Sequence, residues 1–172
     1  MQDIILSPHF RLKEFIESPT ARQYGIDNSP PPEVVQNLKQ LCKYTLEPLR
    51  EVMGMPIIIT SGYRSKTLNR HITHHSTRSQ HMTGQAADFV VKGHTESTEN
   101  TEIPRLSARE LLIRAFRTII LDEHIVFDQL IIYPSFIHVS YVSSGKNRRK
   151  ITKGYGNGKY CALTRDEALS LC

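Results

Sequence analysis

The sequence predicts an α+β fold, in which a small and mainly antiparallel sheet has helices packed on one side. Apolar residues recur at three- and four-residue steps in two long segments, 33–52 and 107–120, which is the spacing of amphipathic helices. Short apolar or alternating runs at 56–60, 86–91 and 129–141 predict strands. Because the last run has the pattern of a hairpin, we expect neighbouring strands to be antiparallel.

The length and composition favour one globular domain. The chain has 172 residues, of which 39% are apolar and 23% are charged. We assign residues 1–172 to a single domain, with residues 1–32 as an N-terminal helical extension packed on it. The net charge of +5 favours an anionic partner, such as nucleic acid, an acidic wall polymer or a membrane surface. We expect a monomer.

The cysteines and the N-terminal residues indicate the cellular compartment of the protein. Cys42, Cys161 and Cys172 cannot all pair with one another and show no metal-ligand spacing. Cys42 falls on an apolar helix face, which predicts a core thiol and a reducing compartment. Residues 1–6 lack the pattern of a signal peptide, and no segment is apolar enough to span a membrane. We therefore expect synthesis in the cytoplasm, with release by lysis or non-classical export.

In the N-terminal half, Ser7-Pro8 predicts the N-cap of a short helix within residues 7–24. In the helix over 33–52, Pro48 predicts a kink. The continuous β-branched run 56–60 predicts a buried strand, which carries residues 61–64 to the end of the sheet.

In the C-terminal half, Ser107 and Glu110 predict a capping box, after a polar surface loop over 92–105. A two-residue turn at 134–135 would pair Ile131 with His138 in a hairpin. Alternation along this hairpin places Gln129 and Tyr133 on the face of His138, and Asp128 on the opposite face. Thr164 and Glu167 predict a capping box for a terminal helix.

The basic segment 146–159 has two interpretations. A run of lysines and arginines among glycines is typical of a solvated edge strand and loop. It could also form an electrostatic patch for an anionic polymer. The first interpretation is favoured, and no aromatic-plus-basic motif supports a nucleic-acid partner.

Two histidines and one aspartate suggest a metal site. His81 and Asp88 are seven positions apart, with Gly84 between them to allow a sharp turn. His138 alternates with apolar residues on a predicted strand, and imidazole and carboxylate are both good zinc ligands. On spacing alone, plain surface polar groups remain an equal interpretation. His71, His74 and His75 form a second cluster of candidate ligands, which a solvated loop would also explain.

The segment Ser79-Gln80-His81-Met82-Thr83-Gly84-Gln85-Ala86-Ala87-Asp88, followed by His138-Val139-Ser140, resembles the zinc D-Ala-D-Ala carboxypeptidases and endopeptidases of the M15 peptidase family, in its small bacterial and phage-type branch. Residues 60–65, Leu68-Asn69, 6–10 and 47–50 also resemble this branch. The similarity extends over most of the chain, from about residue 6 to about residue 149.

The resemblance implies a DD-peptidase or hedgehog-like fold and metal-assisted amide hydrolysis. It implies that His81, Asp88 and His138 hold Zn²⁺, which activates a water and polarises the scissile carbonyl. It also implies that Arg64 binds or polarises substrate next to the metal. Ser79 is expected to support the ligands or bind substrate.

The general base is unassigned. Many relatives carry a Glu or Asp three residues before the last histidine, where this chain has Ser135. The alternatives are residues on or near the same hairpin: Gln129, Tyr133, Asp128, Asp122 and Glu123.

Three functions follow, in decreasing order of support. The first is a zinc peptidase acting on peptidoglycan stem peptides, with carboxypeptidase and endopeptidase action both open. The second is a catalytically weak or silent zinc-stabilised module that binds cell-wall peptide. The third is a nucleic-acid binder that uses the basic segment, and we expect no nucleic acid.

Overall fold

The fold is built on a six-stranded sheet in the order β3-β4-β6-β5-β7-β8. The computed structural model describes residues 3–73, 76–93 and 106–171. The strands are β1 (Ile5–Ser7), β2 (Phe10–Arg11), β3 (Ile57–Ser61), β4 (Ala86–Val91), β5 (Gln129–Ile132), β6 (Ile137–Ser140), β7 (Lys150–Gly154) and β8 (Tyr160–Ala162). The helices are α1 (Leu12–Ile16), α2 (Pro19–Tyr24), α3 (Pro32–Leu41), α4 (Glu47–Met53), α5 (Lys66–His71), α6 (Ala108–Leu121) and α7 (Arg165–Leu169), with a π-helical turn at Cys42–Leu46 and a 3₁₀ helix at Gln80–Thr83.

The sheet confirms the predicted α+β class. Every pair in it is antiparallel except β5 with β7. One cross-strand row is apolar and buried, and includes Ala87, Val139 and Leu130. The adjacent row places Asp88, His138 and Ile131 on the opposite face. Because side chains alternate along a strand, the two rows lie on opposite faces of the sheet. The apolar row packs against the helices, and the polar row lines a cleft.

The predicted N-cap at Ser7 is wrong. Ser7 ends β1, which pairs with β2 as a hairpin, and α1 begins only at Leu12. The His9 backbone N–H and its Nδ1 both lie 2.8 Å from the Glu47 carboxylate, which ties the hairpin turn to α4. This tertiary partner outweighs the local preference of Ser-Pro for a helix start.

The kink predicted at Pro48 takes the form of the π-helical turn that precedes it. Pro48 has no N–H to donate to the Tyr44 carbonyl. That carbonyl accepts instead from the Val126 N–H at 3.0 Å, and the Thr45 hydroxyl donates to the Val126 carbonyl. The proline-induced irregularity therefore docks the segment that leads into β5.

The strand predicted to be buried, β3, lies at the edge of the sheet, and Ile58 is 43% exposed. At the other end, the basic segment 146–159 contains β7, which is internal, and leads into the edge strand β8. The interpretation as a solvated edge strand is therefore wrong for β7, whereas residues 155–159 after it are exposed, as the predicted loop requires.

Several local predictions are confirmed. Strand β4 spans the predicted residues, and Ile131 pairs with His138. Ser107 and Thr164 both cap their helices through capping boxes. Cys42 is fully buried. Most of the predicted 92–105 loop, and Cys172, lie outside the described residues. In the described residues, no helix is both long and apolar enough to cross a membrane.

Candidate metal centre

His81, Asp88 and His138 converge on one point at the cleft face of the sheet. The His81 Nε2 atom lies 3.2 Å from His138 Nδ1 and 3.3 Å from Asp88 Oδ1, and the last two atoms are 2.8 Å apart. Two ligand atoms each about 2.1 Å from a tetrahedral zinc lie roughly 3.4 Å apart. The three atoms therefore already stand close to the spacing that one such ion requires.

The sheet register and one glycine bring these residues together. Asp88 and His138 are direct cross-strand partners, so both side chains leave the same face. His81 comes from the 3₁₀ helix, which ends at Gly84 with a φ of +68°. A Cβ at Gly84 would lie 2.7 Å from the Val34 carbonyl oxygen, so only glycine allows this close packing of the 3₁₀ helix on α3.

The tautomer of His81 suits a metal ligand. Its Nδ1 lies 2.7 Å from the Gly62 carbonyl oxygen, which can only accept, so Nδ1 carries the proton. The Nε2 lone pair then faces Asp88 and His138. Burial lowers the pKa of His81, which favours the neutral imidazole that binds a cation. A backbone carbonyl behind a histidine is the usual outer support of a metal ligand.

The carboxylate of Asp88 has one oxygen for each of two tasks. Burial alone would raise its pKa, but the two imidazoles beside it more than offset this and hold the pKa well below its usual range. Oδ1 faces the histidines, while Oδ2 accepts from Arg64 Nη2 at 2.9 Å. Asp88 is therefore arranged to bind a metal through Oδ1 alone.

Arg64 lines the cleft but is also tied to the ligand set. Its Nε and Nη2 donate to the Ser61 hydroxyl at 3.1 and 2.9 Å, beside the bond to Asp88. The Arg64 backbone N–H donates to the His81 carbonyl at 3.2 Å. The buried Asn28 side chain accepts from the Ser65 N–H and donates to the Tyr63 carbonyl, which fixes the loop on both sides of Arg64.

The cleft above these residues has a volume of about 570 Å³. Ser79 lines it and precedes the 3₁₀ helix without capping it. The remaining residues that line the cleft come from the 72–80 segment and from strands β5 to β8 and the turns between them: Ile72, Thr73, Ser76, Arg78, Gln80, Gln129, Ile131, Tyr133, Phe136, Lys150, Thr152, Gly156, Gly158 and Tyr160.

Among the described residues that line this cleft, Asp88 is the one carboxylate. Ser135 is exposed in the hairpin turn and does not line the cleft. Asp122 and Glu123 follow α6 and do not line it either. Gln129 and Tyr133 do, as their predicted strand face requires, but burial raises the pKa of Tyr133 well above its usual range and keeps the phenol protonated.

Asp128 is buried and already bound. Its carboxylate accepts from the Arg148 backbone N–H at 3.0 Å, from the Arg148 guanidinium at 2.9 Å and from Gln80 at 3.0 Å. Gln80 is the neighbour of His81, so Asp128 holds the 3₁₀ helix against β5. The sequence reasoning missed this link because no local pattern joins residues 80, 128 and 148.

His71, the described member of the second histidine cluster, is not part of this centre. His71 is exposed, packs against the Tyr24 ring in a tilted arrangement with ring centroids 5.1 Å apart, and does not line the cleft. Its Nδ1 lies 2.9 Å from the Thr67 carbonyl oxygen. His74 and His75 lie outside the described residues.

The comparisons with known proteins bear directly on this centre. No curated protein matches the chain. The sequence model of the family described as Peptidase M15 matches residues 8–120, about two thirds of the chain. The match includes His81, Asp88 and Arg64 and ends before His138, which the fold brings to the other two ligands. The chain therefore belongs to the M15 peptidase family, whose members are metallopeptidases.

Proposed function

We propose that the chain, as one domain over residues 1–172, is a zinc-dependent peptidase that hydrolyses amide bonds in peptidoglycan stem peptides. The activity would be of the D-Ala-D-Ala carboxypeptidase or murein endopeptidase type. The observation that carries the proposal is the triangle of His81, Asp88 and His138 at the base of an open cleft. Family membership supports the reaction class.

Zinc is the metal that this ligand set fits best. Two imidazoles and one carboxylate oxygen are the donors of a three-ligand catalytic zinc site, and their spacing is close to the one that a tetrahedral ion requires. When bound, zinc supplies Lewis acidity at the scissile amide. Gly62 and Arg64 hold His81 and Asp88 in the orientation that directs Nε2 and Oδ1 toward the position proposed for the metal.

Arg64 and Ser79 are the proposed substrate-contacting residues. Nε and Nη2 of Arg64 hold Ser61 and Asp88, while Nη1 makes no hydrogen bond with a described residue. Nη1 would donate to the substrate carbonyl or to a substrate carboxylate. Ser79 also lines the cleft and offers a second donor.

The described residues of the cleft bear on the expected rate of hydrolysis. A positioned general base contributes roughly 10²–10⁴-fold in rate. The described cleft residues offer no carboxylate besides Asp88, whose two oxygens are committed to the metal site and to Arg64. We therefore expect slow hydrolysis, with the proton passed through solvent in the open cleft.

The same observation favours a second candidate function, a zinc-stabilised module that binds cell-wall peptide without cleaving it. The cleft and its polar lining would serve binding without any change. The two functions differ only in turnover.

The test is to incubate the zinc-loaded protein with a stem peptide ending in D-Ala-D-Ala and to follow the products by mass spectrometry. We expect slow release of a fragment, abolished in His138→Ala. Lys153→Gln, a substitution on the face of β7 away from the cleft, serves as the control. Tight binding with no product at any enzyme concentration would replace the peptidase with the binding module.

A further inference from the structure

The far side of the cleft is formed by β7, which lies outside the residues matched by the family model. Strand β7 pairs in parallel with β5 and places Thr152 beside Ile131, in the row that contains His138. Neighbouring strands are about 4.8 Å apart, so Thr152 is roughly 10 Å from the strand of His138. An extended peptide covers this distance in about three residues.

The part of the cleft over β7 has a polar wall on one side and an aromatic wall on the other. On one side lie Gln129 and Lys150, which are register partners on β5 and β7. On the other side lie aromatic rings: Tyr133 stacks on Phe136 with centroids 4.4 Å apart, and its hydroxyl bonds to that of Tyr160 at 3.2 Å. A Cβ at position 154 would lie 2.3 Å from the Tyr133 ring, so the ring fits on the cleft face only because residue 154 is glycine.

The Thr152 hydroxyl is a buried donor without an acceptor. Thr152 is 3% exposed and lines the cleft, yet its Oγ1 has no hydrogen-bond partner among the described residues. A buried hydroxyl left unbonded costs about 1–3 kcal/mol, so such groups call for an explanation. A ligand that enters the cleft would provide one.

Lys150 is the basic residue of β7 that faces the same space. Arg148 is bonded to Asp128, Arg149 lies over the Phe127 ring, and Lys153 lies over the Tyr155 ring. Lys150 lines the cleft and makes no ion pair with a described residue. With Arg64 and Arg78 also in the lining and Asp88 as its one described carboxylate, the cleft is a cationic surface.

We propose that the β7 side of the cleft binds a carboxylate of the substrate, roughly three residues from the scissile amide. The Lys150 ammonium pairs with this carboxylate and the Thr152 hydroxyl donates to it. The two residues are two apart on one strand face, about 7 Å along the strand, which the flexible lysine stem spans easily. The rings of Tyr133 and Tyr160 pack against the peptide from the opposite wall. The proposal rests on the proposed function for the identity of the peptide, but not on its hydrolysis.

The test measures equilibrium binding to the zinc-loaded full chain by isothermal titration calorimetry at low temperature, where hydrolysis is slowest. The probes are the peptide L-Ala-γ-D-Glu-L-Lys-D-Ala-D-Ala and two amides of it. One amide replaces the glutamyl α-carboxylate and the other replaces the C-terminal carboxylate. Mass spectrometry after each titration reports whether the peptide is intact.

We expect the wild type to bind one of the two amides about 10-fold or more weakly than the parent peptide, because a charge-assisted contact is lost. The amide that loses affinity identifies which carboxylate is bound. Lys150→Gln should bind all three peptides within about twofold, while Lys153→Gln, on the other face of the same strand, should behave as the wild type. Thr152→Val should lose part of the discrimination, and Thr152→Ser should keep it.

Equal wild-type affinity for the three peptides, no binding of the parent peptide, or unchanged discrimination in Lys150→Gln would each overturn the proposal. Discriminating binding without any hydrolysis would support this site and refute only the proposed peptidase activity.

Discussion

Two buried aspartates, Asp88 and Asp128, share many features and serve different ends. Each is paired with an arginine, Arg64 or Arg148, and each has a pKa held below its usual range. Both oxygens of Asp128 are bound by neutral or cationic donors. Asp88 instead turns Oδ1 toward two imidazoles, whose lone pairs repel it unless a proton or a cation stands between them.

The difference shows how a ligand carboxylate is distinguished from a structural one. Burial, charge pairing and a lowered pKa are common to both residues. The two residues differ in the partners of their carboxylate oxygens. Both oxygens of Asp128 accept hydrogen bonds from the protein, whereas Oδ1 of Asp88 faces two imidazole nitrogens that can bind a metal. The expected consequence is that Asp88 serves the metal and Asp128 serves the fold, and the following experiments probe that division.

The largest effect is expected on zinc affinity. Asp88→Asn removes the charged ligand oxygen, and we expect the affinity to fall more than about 100-fold, beyond the range seen for outer-shell changes. Asp128→Asn should leave the affinity within about threefold of wild type. Competition with a zinc chelator measures both. Equal losses in the two variants would refute the division between the residues.

A smaller effect is expected for Arg64→Lys. An ammonium cannot bond Ser61 and Asp88 together as the guanidinium does. We expect about 10- to 100-fold lower turnover of a stem peptide, with normal folding. Arg70→Lys, on the exposed side of α5, is the matched control. Unchanged turnover in Arg64→Lys would refute a role for the Arg64 guanidinium in the reaction.

Asp128→Asn should act on stability, with a defined pH dependence. Burial alone would raise the pKa of Asp128, but the hydrogen bonds from Arg148 and Gln80 hold it below its ordinary value. The charged carboxylate therefore stabilises the fold above the unfolded pKa of about 3.9, and this contribution is lost as the pH falls through the lower folded value. We expect the variant to lose about 2 kcal/mol of unfolding free energy at pH 7.

Urea unfolding of both proteins at several pH values tests this expectation. The difference between them should be constant from pH 7 to about 5 and should shrink below about pH 4. A difference that grows toward low pH would mean that Asp128 is protonated in the folded protein.

The smallest effect is expected for Ser135→Glu. This position matches that of a base in many relatives, but Ser135 is exposed in the turn and does not line the cleft. We expect turnover to change less than about threefold. A rise of 100-fold or more, with matched zinc content, would show that the turn reaches the cleft and that the position is a vacant base site.

The sequence predicted those features that depend on neighbouring residues. The capping boxes at Ser107 and Thr164, the extent of β4 and the pairing of Ile131 with His138 all follow from short patterns. The features that it did not predict depend on residues far apart in the chain. The turn after Ser7 is fixed by hydrogen bonds between His9 and Glu47, which are 38 residues apart, and β7 joins β5 in parallel through contacts that no local period encodes.

The candidate site divides in the same way. The His81 and Asp88 motif was visible in the sequence, and the family resemblance pointed to His138. Ser61, Asn28 and the link from Gln80 to Asp128 and Arg148 were missed, since single polar residues in loops carry no periodic signal. Only the fold shows that Ser61 and Asn28 fix Arg64 and its loop, and that Asp128 fixes the 3₁₀ helix through Gln80.

The most direct test of the central claim is the zinc stoichiometry of the wild type and of His138→Ala, by elemental analysis after gel filtration. His138 is the ligand that lies beyond the residues matched by the family model, so the triangle depends on the fold to supply it. We predict one zinc per wild-type chain and far less than one in a folded His138→Ala. Undiminished zinc in His138→Ala, and likewise in His81→Ala, would contradict the account and would direct the search to His71, His74 and His75.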